Sequence, residues 1–327
     1  MTTLLEVSGL STQYVGARGT RVTRAVDDVS FDLDVGQTLG VVGESGSGKT
    51  TLALSLLRLL PPAARIVGGE IRYEGEDLVA KPEAELRRIR GKRIAMILQD
   101  PMASLNPLFT IGDQVAEPLR VHERAPRRSA WIRAGELLRA VRIAAPEARL
   151  REYPHQLSGG MRQRVVGAIA ISCGPRLLIA DEPTTSLDLT IQAQYLNLLR
   201  ELQRAHDLAL IFITHNLGIV AKMCDRVAVM YAGRIVEAGP VSRIFDAPAH
   251  PYTRALLDSL PRFGDGRERL TAIDGQPPDP ASLPPGCAFH PRCPYAEDRC
   301  RAEAPPEDTV AAGQVARCWL AGAAPRA

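Results

Sequence analysis

Long hydrophobic runs are missing from this chain of 327 residues. Its uninterrupted apolar segments, such as residues 227–232, are far shorter than the roughly 18 residues that a membrane-spanning helix needs. The start of the chain also lacks the basic segment followed by an apolar segment that is typical of a secretion signal. These two absences predict a soluble, intracellular protein.

An excess of charge of one sign is missing as well. Forty basic and 37 acidic residues leave a formal net charge of +3, so we expect no nucleic-acid partner that is held by phosphate contacts. The arginine clusters at 87–93 and 124–128 have no interleaved aromatic residues, and we interpret them as solvated surfaces. Lysine is scarce too, and one of the few lysines, Lys49, lies in a glycine-rich segment.

The composition that remains is that of a globular protein, with 45% hydrophobic and 24% charged residues. Short apolar runs predict strands at 38–42, 93–98, 176–181, 208–214 and 226–231. Between the third and fourth runs, apolar residues repeat at helical spacing at Ile191, Tyr195, Leu198, Leu199 and Leu202. Buried strands that alternate with helices are typical of an α/β fold with a largely parallel sheet.

Two regions depart from this alternation. Residues 104–165 hold Arg-rich, Pro-containing connectors, which predict an inserted helical subdomain. One helix in it is marked by Trp131, Ala134, Leu138 and Val141. The chain also changes character near residue 260, because the last 67 residues hold eleven of the 25 prolines and four of the six cysteines.

A glycine-rich segment follows the first predicted strand. It matches the G-x-x-x-x-G-K-[ST] pattern with Gly43, Glu44, Ser45, Gly46, Ser47, Gly48, Lys49 and Thr50. Glycines let backbone N–H groups curl around phosphate oxygens, and a helix expected over 51–60, ended by Pro61 and Pro62, adds its N-terminal dipole. We expect Lys49 to reach the β- and γ-phosphates and the Thr50 hydroxyl to ligate Mg²⁺. The alternative is a glycine-rich turn with a chance lysine.

Two acidic residues, Asp181 and Glu182, stand at the end of the strand predicted at 176–181. Open α/β sheets bind ligands at the carboxyl ends of their strands. Asp181 therefore suits the shell of a Mg²⁺ ion, and Glu182 suits a general base that polarises the attacking water. His215 follows the next strand and is a candidate for holding that water beside the γ-phosphate. Taken alone, an acidic pair is more often a helix cap and a lone histidine is more often structural.

A third motif lies shortly before the acidic strand. It reads LSGGMRQ at 157–163 and resembles the signature motif of ATP-binding-cassette ATPases. At a helix N-terminus, its serine and glycines offer donors to an anion. In that family two cassettes pair head to tail. The resemblance therefore implies that four residues cap the nucleotide held by the partner's phosphate loop, namely Ser158, Gly159, Gly160 and Gln163.

This resemblance covers about residues 1–250 and implies a P-loop NTPase core of the RecA-like type with a mostly parallel sheet. Gln99 resembles the Q-loop glutamine of the family by its order and spacing. Residues Ser186, Leu187 and Asp188 resemble the D-loop, and His215 resembles the switch histidine.

The same resemblance implies how the nucleotide and its metal are bound. Mg²⁺ is expected on Thr50, Gln99 and Asp181, and ATP on Thr51 and Gln99 in addition to the glycine-rich segment. An aromatic residue that stacks on adenine is expected upstream of that segment, and Tyr14 is the candidate. An ordinary strand tyrosine is the alternative interpretation of Tyr14.

Finer motifs resemble the oligopeptide and dipeptide importer ATPases, a subfamily that also includes nickel importers. These motifs are QDPMASLNP at 99–107, EYPHQ at 152–156, HPYTRALL at 250–257 and HPRCP at 290–294. The resemblance implies a cassette domain over 1–245, with its helical subdomain at about 104–165. It also implies a Pro/Cys-rich C-terminal extension over 246–327.

The subfamily implies an ATPase that energises peptide import from the cytoplasmic face of the cell membrane, as a peripheral protein. Its implied partners are two transmembrane permease subunits, a second cassette that is commonly a related chain, and indirectly an extracytoplasmic solute-binding protein. Import of nickel or another small solute is the alternative within the subfamily. A soluble cassette ATPase that acts on DNA or ribosomes is disfavoured by the single glycine loop and the missing heptad pattern. The tail argues against an exporter.

Four cysteines lie in the C-terminal extension at Cys287, Cys293, Cys300 and Cys318. Structural zinc sites usually have tighter C-x₂₋₄-C spacing, and a reducing cytosol disfavours disulfides. Some peptide-importer ATPases that this chain resembles carry a 4Fe–4S cluster in this tail, and we expect one here. Zinc and unliganded thiols remain alternatives, because spacing alone does not decide. Cys173 and Cys224 lie in apolar segments and are expected to be core residues.

Overall fold

The computed structural model of the chain describes residues 2–16, 21–185, 187–260 and 273–321. It divides into two compact units. The first consists of Met1–Thr2, Asp34–Gln37 and Ala80–Ile213, and the second of Thr3–Leu33, Thr38–Val79 and Thr214–Ala327. The domain boundary between residues 245 and 246 stays a prediction.

Strands and helices alternate along the chain. The strands are β1 Thr3–Val15, β2 Val22–Asp34, β3 Thr38–Val42, β4 Ala64–Tyr73, β5 Glu76–Asp77, β6 Ile94–Ile97, β7 Leu177–Asp181, β8 Ala209–Ile213, β9 Arg226–Tyr231, β10 Arg234–Pro240, β11 Asp308–Ala311 and β12 Gln314–Ala316. The helices are α1 Lys49–Leu56, α2 Glu83–Ile89, α3 Pro101–Ser104, α4 Ile111–His122, α5 Arg127–Ala140, α6 Pro146–Arg149, α7 Gly159–Ile171, α8 Leu189–His206, α9 Leu217–Met223, α10 Val241–Asp246, α11 Pro251–Asp258 and α12 Asp298–Ala302. Turns of 3₁₀ helix cover Pro154–Gln156 and His290–Arg292.

In the first unit, β6, β7 and β8 form a parallel sheet. Ile94 lies opposite Leu177, and Leu177 lies opposite Ala209. Every residue of β7 and β8 is buried, as expected for strands covered on both faces. The strands predicted at 93–98, 176–181 and 208–214 are therefore confirmed to within one residue at each end.

The helices of the first unit also follow the apolar periodicity. In α8, Tyr195, Leu198, Leu199 and Leu202 are buried, which confirms the predicted helix between β7 and β8. The insertion contains α3 to α6 and leads into α7. In α5, Ala130, Ala134, Gly135 and Leu138 form the buried face, so the helix predicted there is confirmed as well.

The second unit contains two groups of strands. β3 pairs in parallel with β9, and β10, β12 and β11 follow in antiparallel order. The predicted strands at 38–42 and 226–231 are confirmed. A separate sheet has the order β2-β1-β4-β5. Our sequence analysis missed this sheet, because register shifts between Ser8 and Thr12 interrupt the alternation of apolar and polar residues in β1.

Helix α1 is shorter than the sequence predicts. We expected it to continue to residue 60, but it ends at Leu56. Arg58 adopts a left-handed backbone conformation with φ 49°, and the Leu59 N–H donates to the Leu54 carbonyl at 2.9 Å. This backbone closure is typical of a helix C-terminus and satisfies the carbonyls before the proline pair is reached.

An aromatic cluster forms the core of the second unit around the C-terminal extension. It consists of Tyr231 from β9, Tyr252 from α11 and Phe289. The ring centroids of Tyr231 and Tyr252 lie 4.6 Å apart, and Phe289 lies 5.3 Å from each. Rings at these distances contribute about 0.5–1.5 kcal/mol per pair beyond their burial. The extension is therefore packed into this core. Within the described ranges, no helix is both long and apolar enough to cross a membrane.

Candidate nucleotide-binding site

In the glycine-rich segment at 43–50, residues 43–48 form a loop between β3 and α1, as predicted, and residues 49 and 50 begin the helix. Gly43 has φ 152°, and a Cβ atom added there would lie 2.2 Å from the Met230 carbonyl oxygen. Gly48 has φ 105°, and its Cβ would lie 2.1 Å from the carbonyl oxygen of Ala25. A side chain is excluded at both positions, because the loop lies directly against the backbone of Met230 and Ala25. Gly46, with φ 80°, has open space around it.

Lys49 begins α1 and is folded back onto the loop, with 6% of its surface exposed. Its Nζ donates to the carbonyls of Gly43 at 2.8 Å and Glu44 at 2.9 Å, and it lies 3.4 Å from Ser47 Oγ. The ammonium group is thus held at the centre of the loop. Ser45, Gly46 and Thr50 are exposed around it. Such an arrangement offers a cation and a helix N-terminus to a phosphate group.

Glu44 is fixed by the C-terminal extension, a contact that our sequence analysis missed. Arg292 donates to both carboxylate oxygens of Glu44, at 2.7 and 3.0 Å. The Glu44 N–H donates to the Tyr252 hydroxyl at 2.9 Å. Glu44 raises the pKa of the Arg292 guanidinium, since it accepts hydrogen bonds from the charged group. No local pattern signals a contact between residues 248 positions apart.

Tyr14 and His215 belong to the same unit. Tyr14 lies in β1, and its hydroxyl is 3.4 Å from the Thr51 hydroxyl. His215 is exposed. The next residue, Asn216, caps α9 by accepting from the Ile219 N–H at 3.3 Å. The Asn216 side chain supplies the acceptor that this cap needs.

In the first unit, the structure brings Gln99 and Glu182 together. Asp181 ends β7 and is only 1% exposed. Glu182 follows with a left-handed φ of 45°, and its N–H donates to the Ile213 carbonyl at 2.9 Å. One Glu182 carboxylate oxygen accepts from Thr185 Oγ1 at 2.9 Å and Gln99 Nε2 at 3.3 Å. The predicted base therefore has a fixed orientation. Thr185 is a partner that we did not predict.

The signature segment opens helix α7 in the first unit. Ser158 caps the helix, with its Oγ accepting from the Met161 N–H at 3.4 Å. A Cβ added at Gly159 meets nothing within 4 Å, whereas one at Gly160 would lie 2.8 Å from Ile191 Cγ2. Asp188 caps α8 by accepting from the N–H groups of Thr190 and Ile191.

These caps line one open groove, whose walls are Ser158, Gly159, Gly160, Asp188, Arg142 and Arg164. Gln163 is not among the residues that line this groove, and its contact with a partner's nucleotide stays a prediction. This residue is 1% exposed and lies beside Tyr195, whose pKa is raised by burial. Helical spacing places Gln163 on the inner face of α7. Ser186 of the predicted D-loop lies outside the described residues.

The four cysteines of the extension line one small cavity in the second unit. Burial raises the pKa of the Cys287 and Cys293 thiols, and it raises the pKa of Cys318 to about 11. In the residues that the structure describes, no three His, Cys, Asp or Glu side chains are grouped so that they could hold a metal ion. Cys224 packs against the apolar core of the second unit, as predicted.

Comparisons with known proteins agree with these motifs. Residues 26–185 match the family described as ABC transporter, and residues 236–300 match the oligopeptide/dipeptide transporter C-terminal region. A probable peptide ABC transporter ATP-binding protein of Sinorhizobium fredii is 51% identical over 97% of this chain and 94% of its own length. The oligopeptide transport ATP-binding protein OppD of Haemophilus influenzae is 47% identical over 98% of both chains. The dipeptide transport protein DppD of Escherichia coli is 48% identical over 90% of both.

Solved structures show the same fold. The dimeric bacterial ABC transporter cassette MJ0796 is 25% identical, with a TM-score of 0.64 over 73% of this chain and 99% of its own. The cbiO1 subunit of Clostridium perfringens is 26% identical, with a TM-score of 0.63 over 76% of this chain and 92% of its own. The fold is thus the α/β P-loop NTPase fold with a mostly parallel sheet. The chain belongs to the ABC transporter ATPases that carry the oligopeptide/dipeptide transporter C-terminal region.

Proposed function

We propose that this chain is the ATP-hydrolysing subunit that energises the import of peptides through a membrane permease. One observation carries the proposal: nearly the whole chain, extension included, is about half identical to ATP-binding proteins named for peptide, oligopeptide and dipeptide transport. The membership of the family makes the chain an ATPase coupled to transport. The peptide substrate is inferred from the names of the relatives.

The glycine-rich loop is the proposed site for the nucleotide phosphates. Its exposed mouth, its helix N-terminus and the buried Lys49 ammonium suit the β- and γ-phosphates. Thr51 and Tyr14 are assigned to the nucleotide as well, Tyr14 on the adenine side. Thr50, Gln99 and Asp181 supply hydroxyl, amide and carboxylate oxygens, which is the donor chemistry that Mg²⁺ prefers. Bound there, Mg²⁺ would neutralise charge on the β- and γ-phosphates.

Glu182 is the proposed general base. It takes a proton from the attacking water as the water oxygen bonds to the γ-phosphorus, and the bond between that phosphorus and the bridging oxygen breaks to leave ADP and phosphate. Hydrogen bonds from Thr185 and Gln99 hold one of its carboxylate oxygens in place. We assign His215 to holding the same water, since it is exposed and lies at the start of α9.

The signature segment is the proposed contact to a second cassette. Ser158 and Gly159 line an open groove, and Asp188 lies on its wall. The related cassette MJ0796 is named as dimeric. Two permease subunits complete the proposed assembly at the cytoplasmic face of the membrane. Leu108 and Phe109, which are 81% and 54% exposed in the insertion, offer apolar contacts to such a permease.

The four cysteines are the proposed ligands of a 4Fe–4S cluster. All four line a common cavity in an irregular segment, and Cys₄ is the usual ligand set of such clusters. The four thiolates match the four irons in number, but no three of these side chains are grouped as a metal site in the described residues, so the proposal rests on the Cys₄ set and its shared cavity. The bound cluster would be an electron-transfer or structural group, and the four side chains would hold it as thiolates.

Isolation from the membrane tests the transport proposal. The tagged chain is purified from gently solubilised membranes, and its partners are identified by mass spectrometry. We expect two permease subunits and a second cassette, and an associated binding protein would indicate the solute. Nickel or another small solute would appear as a different binding protein. Recovery only from the soluble fraction, with ribosomal or DNA-repair partners, would overturn the proposal.

Metal analysis tests the cluster. Protein purified without oxygen is assayed for iron, sulfide and zinc, with Cys293→Ser as the test variant and Cys173→Ser, in the first unit, as its control. We expect iron and sulfide in equal amounts in the wild type and the control, and a loss of both in Cys293→Ser. Stoichiometric zinc, or a colourless protein without iron, would refute the cluster.

A further inference from the structure

Arg292 lies in the C-terminal extension beside the phosphate loop, and every N–H group of its guanidinium has an acceptor. A guanidinium carries five N–H donors. Two of them bond the Glu44 carboxylate. The other three have acceptors in the Asp274 carbonyl at 2.9 Å, the Ile273 carbonyl at 3.4 Å and the Tyr231 hydroxyl at 3.3 Å. The Arg292 side chain is only 4% exposed.

Two rings of the aromatic cluster also lie beside this guanidinium. Its Cζ lies 5.8 Å from the centroid of Tyr231 and 6.0 Å from that of Phe289. Both contacts are within the range in which a cation is attracted to a ring. Arg292 therefore reaches Glu44 as a rigid fork, and little side-chain freedom is lost when the pair forms.

Glu44 is in turn held at three points. Its carboxylate is bonded to Arg292, its N–H donates to Tyr252, and its carbonyl accepts from Lys49. The last contact matters for the nucleotide, because Glu44 and Gly43 are the two residues whose carbonyls hold the Lys49 ammonium. A displacement of Glu44 thus displaces the cation of the phosphate site.

We propose that Arg292 is a positioning residue of the ATP site, which acts through Glu44 to set the first turn of the phosphate loop and the place of Lys49. The inference rests on the proposed nucleotide site. It makes the C-terminal extension a working part of that site. The aromatic packing alone would be enough to hold the extension to the core. The bidentate ion pair between Arg292 and Glu44 does more, because it sets the position of a residue in the loop.

The test measures ATP affinity and steady-state hydrolysis on the full chain. Arg292→Gln removes the charge and the fork, and Arg292→Lys keeps the charge with fewer donors. Arg301→Gln, an exposed arginine of the same extension, is the matched control. We expect Arg292→Gln to raise the Kd and KM for ATP about tenfold with kcat changed less than about threefold, and Arg292→Lys to fall between it and wild type. Arg301→Gln should match wild type.

Glu44→Gln keeps the test open if Arg292→Gln fails to fold, because it retains the buried arginine and the side-chain volume. Glu44→Gln should also raise the Kd for ATP. The double variant with Arg292→Gln and Glu44→Gln should have a Kd no higher than that of the worse single variant. Additive effects, or wild-type ATP affinity in both single variants, would overturn the inference. A wild-type chain that binds no ATP would instead overturn the proposed function, so the two failures are distinct.

Discussion

The phosphate loop and the signature segment are both glycine-rich and both precede or begin a helix, yet the space around their glycines differs. At Gly43 and Gly48 the chain's own backbone occupies the space that a side chain would need, at 2.2 and 2.1 Å. At Gly159 a Cβ would meet nothing, and at Gly160 it would meet only a side chain, that of Ile191. The loop is thus shaped by this chain, whereas Gly159 has no reason within this chain to be glycine.

The polar contacts divide in the same way. The Lys49 ammonium and all three polar groups of Glu44 are bonded within the loop and its support. Ser158 has a weak cap contact at 3.4 Å and faces a groove. We therefore expect the function of the phosphate loop to depend on contacts within this chain. We expect the function of the signature segment to depend on a second molecule that enters its groove.

The largest effect on ATP affinity is expected at Lys49, the cation of the phosphate loop. Lys49→Ala removes the cation that faces the phosphates, and we expect ATP binding to weaken about 30-fold or more, since loss of one partner of a close charge pair costs about 2 kcal/mol or more. Titration with a fluorescent nucleotide measures it. Lys222→Ala, in α9, serves as the control. Retained affinity in Lys49→Ala would mean that the loop binds by backbone alone.

A substitution of Glu182, directly after the end of β7, is expected to impair ATP hydrolysis without preventing ATP binding. Glu182→Gln keeps the hydrogen bonds from Thr185 and Gln99 possible but removes the base, so turnover should fall about a hundredfold or more while ATP still binds. The variant should accumulate as a closed cassette pair, visible by size-exclusion chromatography with ATP. Near-normal turnover would refute Glu182 as the base.

Two of the three glycines of the phosphate loop, Gly46 and Gly48, differ in the space around them and should differ in their effect on stability. Gly48→Ala places a methyl group against the Ala25 carbonyl at positive φ, and we expect a loss of about 3 kcal/mol. Gly46→Ala has positive φ but open space, so about 1 kcal/mol is expected. Urea unfolding of both variants measures the difference. Equal losses would show that conformation, and not close approach, decides at Gly48.

The signature glycines should show the reverse pattern. Gly159→Ala replaces a glycine in the first turn of α7 by the best helix former, so the free energy of unfolding should rise or stay within about 1 kcal/mol. ATPase activity of the assembled pair should nevertheless fall. Unchanged activity would contradict the proposed contrast between the two segments, because it would mean that nothing approaches Gly159. Gly160→Ala is the companion variant, in which crowding of Ile191 should lower stability as well.

The smallest effect is expected at the cap. Ser158→Ala removes the acceptor for the Met161 N–H and should cost about 1 kcal/mol of stability at most, since the contact is long. Its effect on hydrolysis should appear in trans. When mutant and wild-type subunits are mixed, the site that fails should be the one whose phosphate loop lies in the wild-type chain. A defect confined to the mutant's own loop would contradict the proposed pairing.

The sequence predicted most where one local pattern decides the structure. Strands β3, β7 and β9 are apolar except at one end residue and were located within a residue, and the phosphate loop follows from its glycines. Helix α1 ends early because a left-handed residue at Arg58 closes its backbone, which composition does not reveal. The burial of Gln163 was not predicted, because its role was assigned by its place in a motif and not by its position on the helix.

The contacts of Glu44 lay beyond prediction for a different reason. Nothing in the HPRCP string indicates that its arginine reaches the glycine loop, because the pairing is created by the packing of Tyr231, Tyr252 and Phe289. Local patterns thus locate the groups that touch a nucleotide. The groups that hold them in place become visible only in three dimensions.

The span between Glu44 and Arg292 also has a consequence for synthesis. A ribosome makes the two residues 248 positions apart, and at about 5–20 residues per second the second follows the first by more than about ten seconds. During that interval, the β3 and α1 segments are present while the anchor of their loop has not been made. The proposed nucleotide site of a nascent chain can therefore reach its final form only after residue 292 has been made.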